Sequence, residues 1–249
     1  MLFALLVLSF VAARPGAAQS NGCSFPSQGD GRSSAIIDGR TIRLDDGREV
    51  RLTGIEIPDA AMGKAALTAL LLGRDVTLQG DSDMPDRYGR QPAMVFVEHD
   101  RPVQRDLLAQ GAALVAATVT DKACAAELRA AEADARRARR GIWSRKTVIK
   151  NAESPGDILA GIGQFSVVEG TVLSVRQAGA TTYINFGRRW TQDFAVTISR
   201  RMMAMLEGAG LSPKSLERRR IRVRGWIEAR GGPRIEVLRA GQIELVGDD

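Results

Sequence analysis

Residues 35–44 and 48–55 alternate apolar and polar side chains, the period-two signature of strands with one buried face. Asp45-Asp46-Gly47 lies between them and predicts a hairpin turn. Val50 and Leu52 then face inward, which leaves Arg51 on the opposite face. Residues 61–72 read as a helix with Gly73 at its C-cap. Residues 75–78 and 92–97 read as strands flanking a loop at 79–90, so Arg90 enters at the base of a strand. A helix at 102–110 stops at Gly111, and a long Ala-, Glu- and Arg-rich helix at 123–140 stops at Gly141. Strands first, one crossing helix, then terminal helices predict a small barrel with helices attached, mainly β in an α+β arrangement.

Residues 147–160 carry Asn151, Ser154, Pro155 and Gly156 and read as a linker. The pattern then turns β-rich again. Strands are predicted at 165–175, 181–186, 194–198, around Ile221, Val223 and Ile227, and at 235–238, with a helix at 202–206. About five strands and one helix predict a second small barrel, OB-like. No internal sequence repeat points to a duplication.

At 249 residues the chain is long enough for two small domains, each with its own core. Hydrophobic content of 44% and charged content of 26% are those of a globular protein rather than a disordered or fibrous one. Net charge is +6, which suits a polyanionic partner such as nucleic acid, although solubility alone would also account for it. Aromatic residues make up only 5%, so surfaces for base stacking are few.

Residues 1–13 are apolar apart from Ser9, too short a run to span a bilayer. Gly16-Ala17-Ala18 follows and offers small residues for signal-peptidase cleavage before Gln19. An exported chain, periplasmic or secreted and without a stable membrane anchor, is expected. The division is a signal peptide at 1–18, an N-terminal arm at 19–34, a barrel at 35–146, a linker at 147–160 and a second barrel at 161–247. Cys23 and Cys124 are the two cysteines, and an even pair in an exported protein predicts one disulfide, two separate thiols being the alternative. The single histidine, His99, follows a strand and precedes Asp100, a turn position rather than a metal ligand.

The chemistry gathers in three stretches: Ile37-Asp38-Gly39-Arg40-Thr41, Arg51 to Asp59, and Asp86-Arg87-Tyr88-Gly89-Arg90. Arg51 and Arg90 offer guanidinium forks, while Glu56 and Asp59 offer carboxylates. Phosphodiester hydrolysis needs cations against a developing pentacoordinate phosphorus and a base to activate water. The order of these segments over 35–143 resembles the staphylococcal-nuclease-like (thermonuclease) family.

The resemblance implies an OB-type five-stranded barrel, endonucleolytic hydrolysis of DNA or RNA, and a bound calcium ion. Arg51 and Arg90 match the family's two phosphate arginines. Glu56 stands at a metal carboxylate, Ile57 would give a backbone carbonyl, and Asp59 stands at the general base. Arg87 and Tyr88 are implied substrate contacts. The family's two further tyrosines correspond to Ala117 and Val119. Arg40 replaces a metal carboxylate, and a guanidinium has no acceptor. Three arrangements follow: weak calcium binding with slow cleavage, Arg40 taking over part of the cation's role against phosphate, or binding without cleavage. An Arg40 ion pair to Glu56 or Asp59 would close the site. A monomer is expected.

Two further sets of basic residues stand out. Arg220, Arg222 and Arg224 fall on one face of a predicted strand and form a candidate basic strip beside Tyr183, Phe186, Trp190 and Trp226. Phe186 and Trp226 are expected in the second core, and Trp190 in a turn.

Overall fold

Asp38 bends the chain back on itself earlier than the alternation implies. Its Oδ1 accepts the Arg40 N–H at 2.8 Å, and Oδ2 accepts the Thr41 hydroxyl at 3.0 Å. The stretch at 35–44 is therefore two strands joined at Gly39-Arg40, and Arg40 sits at the tip of that hairpin. The computed structural model describes residues 22–98 and 101–247. The expected signal segment and His99 lie outside them.

Strand β1 (Ser27–Asp38) pairs antiparallel with β2 (Thr41–Leu44), which pairs with β3 (Glu49–Leu52). The short β4 (Ile55–Glu56) leads into helix α1 (Ala60–Leu71) and then β5 (Asp75–Gln79). Strand β6 (Gln91–Val97) pairs parallel with β3 and antiparallel with β5, and β5 returns to β1. These five strands close a barrel, with α1 between the third and fourth of them. Ile42, Leu44, Val50, Leu52, Leu78 and Phe96 fill it. The barrel strand begins at Ser27, inside the stretch expected to be an arm, because residues 30–32 are needed to pair with β5.

After β7 (Arg101–Pro102) come α2 (Val103–Ala109), β8 (Leu114–Val115) and α3 (Lys122–Arg137). Asp121 caps α3 through the Cys124 N–H at 2.7 Å. A disulfide joins Cys23 to the buried Cys124, tying the start of the described chain to α3. Gly111 and Gly141 adopt positive φ and pack backbone against backbone, so neither has room for a side chain.

The expected linker is structured. Strand β9 (Ile149–Asn151) pairs parallel with β10 (Phe165–Thr171), and α4 (Pro155–Leu159) intervenes. The predicted strand at 165–175 breaks at Val172-Leu173 into β10 and β11 (Ser174–Ala178). Then follow β12 (Thr181–Asn185), β13 (Ala195–Ser199), α5 (Arg200–Gly208), β14 (Arg220–Trp226), β15 (Glu228–Ala229), β16 (Pro233–Val237) and β17 (Ile243–Leu245). Taking β10–β11 and β14–β15 each as one interrupted strand, the pairing cycle repeats the first barrel. The third strand runs parallel to the fifth, and a helix lies between third and fourth. Ile184, Phe194, Val196, Ile198, Val223 and Ile235 are among its buried residues.

The expected basic strip on β14 is not a surface. Arg224 is 2% exposed, with Nη2 2.8 Å from Glu132 Oε2 of α3 and Nη1 3.1 Å from the Val115 carbonyl. Arg222 pairs with Glu169 at 2.5 Å and Glu244 at 3.0 Å. Arg220, still exposed, pairs with the same Glu169. The period-two pattern places the arginines on one face correctly, but that face meets α3 and neighbouring carboxylates instead of solvent. Leu114, Ala135, Ile142, Trp143 and Val167 form an apolar cluster beside this pair, so the two barrels share a packed junction. Phe186 is buried as expected, whereas Trp226 is half exposed and stands edge-on to Phe165.

Candidate nucleic-acid interface

Three guanidiniums lie near enough for Arg40 and Arg90 to act on Arg51, each brought there by a local rule. Arg40 lies at the β1–β2 hairpin tip. Arg51 lies on β3, facing outward between the buried Val50 and Leu52. Its cross-strand partner is Thr41, whose hydroxyl accepts from Arg51 Nη1 at 3.0 Å. Asp38 is 3.7 Å from the same guanidinium. Arg90 closes the turn begun by Asp86: the Asp86 carboxylate accepts the Tyr88 and Arg90 N–H groups at 2.9 and 3.1 Å. Its Oδ2 also takes Arg90 Nε and Nη2 at 2.9 and 2.7 Å, a forked contact that fixes the direction of the side chain. This orienting role of Asp86 was readable in the i, i+4 spacing within the 86–90 stretch but went unassigned.

Burial, followed by the charges of Arg40 and Arg90, pushes the Arg51 guanidinium below its ordinary value. A guanidinium stays charged regardless, and the charges of Asp38 and Glu56 oppose the shift. Arg87 and Arg90 lie 5.6 and 4.9 Å from the centre of the Tyr88 ring, and Tyr88 as a residue is 71% exposed. A planar face is thus presented beside the arginines.

The carboxylates are already engaged. Arg40 Nη1 lies 2.5 Å from Glu56 Oε1 and 2.9 Å from the Ile55 carbonyl. Burial pushes the Glu56 carboxyl up, and the Arg40 charge opposes that shift. Asp59 is the N-cap of α1: its Oδ1 accepts the Met62 N–H at 3.0 Å, and Oδ2 lies 3.0 Å from Arg145 Nη2. The Met62 N–H, then Arg145, holds the Asp59 carboxyl below its usual range. A carboxylate so stabilised in its charged form is a weak proton acceptor. Ile57 packs its side chain against Gly39 and Gly63, and the carbonyl facing Arg40 is that of Ile55. Arg145 was not among the residues expected here, since nothing local marks a partner 86 positions away.

Residues 49–145 match the family model described as staphylococcal nuclease homologue. The chain carries a staphylococcal-nuclease-like domain. No curated protein matches it significantly. A nuclease-like domain points to a nuclease or nucleic-acid-binding function, and the closed five-stranded barrel is the architecture the match implies. Among the described residues, no helix is long and apolar enough to cross a membrane.

Calcium, which the nuclease-like family implies, takes six to eight oxygens. The donor set here does not fit it. Arg40 Nη1 lies on Glu56 Oε1 and brings its own positive charge. Asp38 is spent on the hairpin turn. Among the described residues, no group of three or more His, Cys, Asp or Glu side chains is placed to hold a metal ion.

Proposed function

We propose that the nuclease-like barrel binds single-stranded DNA or RNA through its phosphates, without calcium-dependent cleavage. One observation carries this reading: Arg40 is paired with Glu56, while the charges of Arg40 and Arg90 both act on Arg51. Guanidinium forks match phosphate oxygens, and Arg51 and Arg90 would grip adjacent non-bridging oxygens. Tyr88, with Arg87 and Arg90 against its ring, would stack one base. In this reading Asp59, which caps α1 and pairs with Arg145, serves the fold rather than a reaction.

The Arg51–Arg90 pair also favours a second reading, slow hydrolysis in which Arg40 replaces the metal's charge. That reading lacks a free base among the carboxylates expected there. Export to an oxidising compartment is supported by the Cys23–Cys124 bond.

The test is fluorescence anisotropy with labelled oligothymidylate and oligouridylate across a salt series. Binding should weaken with salt by about 0.7 logarithmic units per unit of log salt for each phosphate held. The Arg51→Ala/Arg90→Ala variant should lower both affinity and that slope. Affinity indifferent to salt and to this variant would overturn the proposal.

A further inference from the structure

A second set of residues suited to a nucleic-acid strand lies on the second barrel, away from Arg51 and Arg90. Strands β11, β12 and β13 turn Val175, Ile184, Val196 and Ile198 toward the core. The alternate positions form an outer row, in which Arg176 pairs with Tyr183 and Tyr183 with Thr197 across three adjacent strands. Along this row runs a cleft of about 320 Å³, walled by Arg176, Tyr183, Trp190, Arg230 and Arg234.

Trp190 is 78% exposed and lines this cleft together with Tyr183, so an aromatic face is open to a ligand there. Its loop is well fixed. The Arg189 carbonyl accepts the Gln192 and Asp193 N–H groups at 2.8 Å each, and the Asp193 carboxylate accepts the Arg189 N–H at 2.7 Å. Gly232 of the opposite rim packs so closely on the Gln192–Asp193 backbone that a side chain there would collide with it. The ring is therefore presented by a built turn.

Charge selects the occupant. The carboxylates at the rim are engaged: Asp193 in its own turn and beside Arg189, and Glu228 with Arg234 at 3.1 Å. Arg176 and Arg230 are exposed and form no ion pair with a described residue. An apolar cleft with aromatic walls between two unpaired guanidiniums matches a ligand of flat rings joined by anionic links.

We infer that this cleft is a second single-strand site, in which bases stack on Trp190 and Tyr183 while Arg176 and Arg230 hold the flanking phosphates. The inference rests on the reading that the chain binds nucleic acid. The two barrels would then grip one strand at two places, the first barrel mainly by phosphate and the second mainly by base.

The experiment measures anisotropy of labelled oligothymidylate with the full chain, comparing Trp190→Ala, Trp190→Phe and Arg176→Ala/Arg230→Ala. Each is made in the natural sequence and in the Arg51→Ala/Arg90→Ala background. Trp190→Ala should weaken binding about fivefold to a hundredfold, and Trp190→Phe should recover most of it. The double arginine variant should lower the salt slope by about 1.4. Effects of Trp190→Ala that persist in the Arg51→Ala/Arg90→Ala background support an independent site. If only Arg51→Ala/Arg90→Ala weakens binding, this inference falls and the first-barrel reading stands. If only the cleft variants weaken it, the first-barrel reading falls and this one stands. No binding of any oligonucleotide overturns both.

Discussion

Arg40 Nη1 bonds two oxygens at once, the Glu56 carboxylate at 2.5 Å and the Ile55 carbonyl at 2.9 Å. A side chain from the tip of one hairpin thereby engages one oxygen of the carboxylate at which the resemblance places a divalent cation. The pair is largely buried, so both partners depend on it. Arg40→Ala leaves Glu56 desolvated and unpaired, and should cost about 1–3 kcal/mol in urea unfolding. Arg40→Asp instead restores a carboxylate facing Glu56. Calcium should raise the melting temperature of Arg40→Asp and leave that of the natural sequence unchanged.

Asp86 offers a titration test. The Arg90 side chain, then the Arg90 and Tyr88 N–H groups, hold its carboxyl down at about 2, against an ordinary 3.8. The folded value is depressed, so the stabilisation is fully present above the ordinary value and is lost as pH falls through about 2. Carboxyl-detected NMR should place the Asp86 midpoint near 2 in the natural sequence and nearer 3.8 in Arg90→Ala. An ordinary midpoint in the natural sequence would mean that Asp86 does not hold Arg90.

Arg224 and Glu132, both 2% exposed in their side chains, join the barrels. Burial works against the Arg224 charge, but Glu132 and Glu244 more than offset it, and the guanidinium is held above its ordinary value. Removing one partner strands the other in an apolar junction. Glu132→Ala should cost about 3–5 kcal/mol in urea unfolding, and the double replacement Glu132→Met/Arg224→Met much less. Equal losses would show that the site's shape matters more than its charge pairing.

The Cys23–Cys124 bond closes a loop of 101 residues. Restricting the unfolded chain over about 100 residues stabilises the fold by at most about 4.7 kcal/mol. Reductant should therefore lower the melting temperature of the natural sequence and leave that of Cys23→Ser/Cys124→Ser unaffected.

The sequence pattern was most informative where side chains alternate or caps are explicit. Val50 and Leu52 are buried with Arg51 outward, and α1 runs Ala60–Leu71, one residue from the helix read at 61–72. It failed where a turn was hidden inside an alternating run. Asp38-Gly39 is a turn dipeptide, yet Ile36, Ile42 and Leu44 around it keep the period of a strand. It failed again where partners are remote. Nothing near Arg224 in the chain announces Glu132, and nothing near Asp59 announces Arg145. The position and charge of Asp59 can be read from sequence, whereas its N-cap bond to Met62 depends on where α1 begins. The family resemblance implied the barrel, and the sequence reading left open an Arg40 ion pair to Glu56 or Asp59; the structure has the Glu56 pairing.

The central claim is that this site holds a phosphodiester without a metal to help cleave it. The most direct measurement incubates labelled single-stranded DNA and RNA with the purified chain, with calcium and with chelator, beside an Arg90→Ala control. The account predicts salt-sensitive binding and intact strands under both conditions. Cutting that requires calcium and disappears in Arg90→Ala would contradict it.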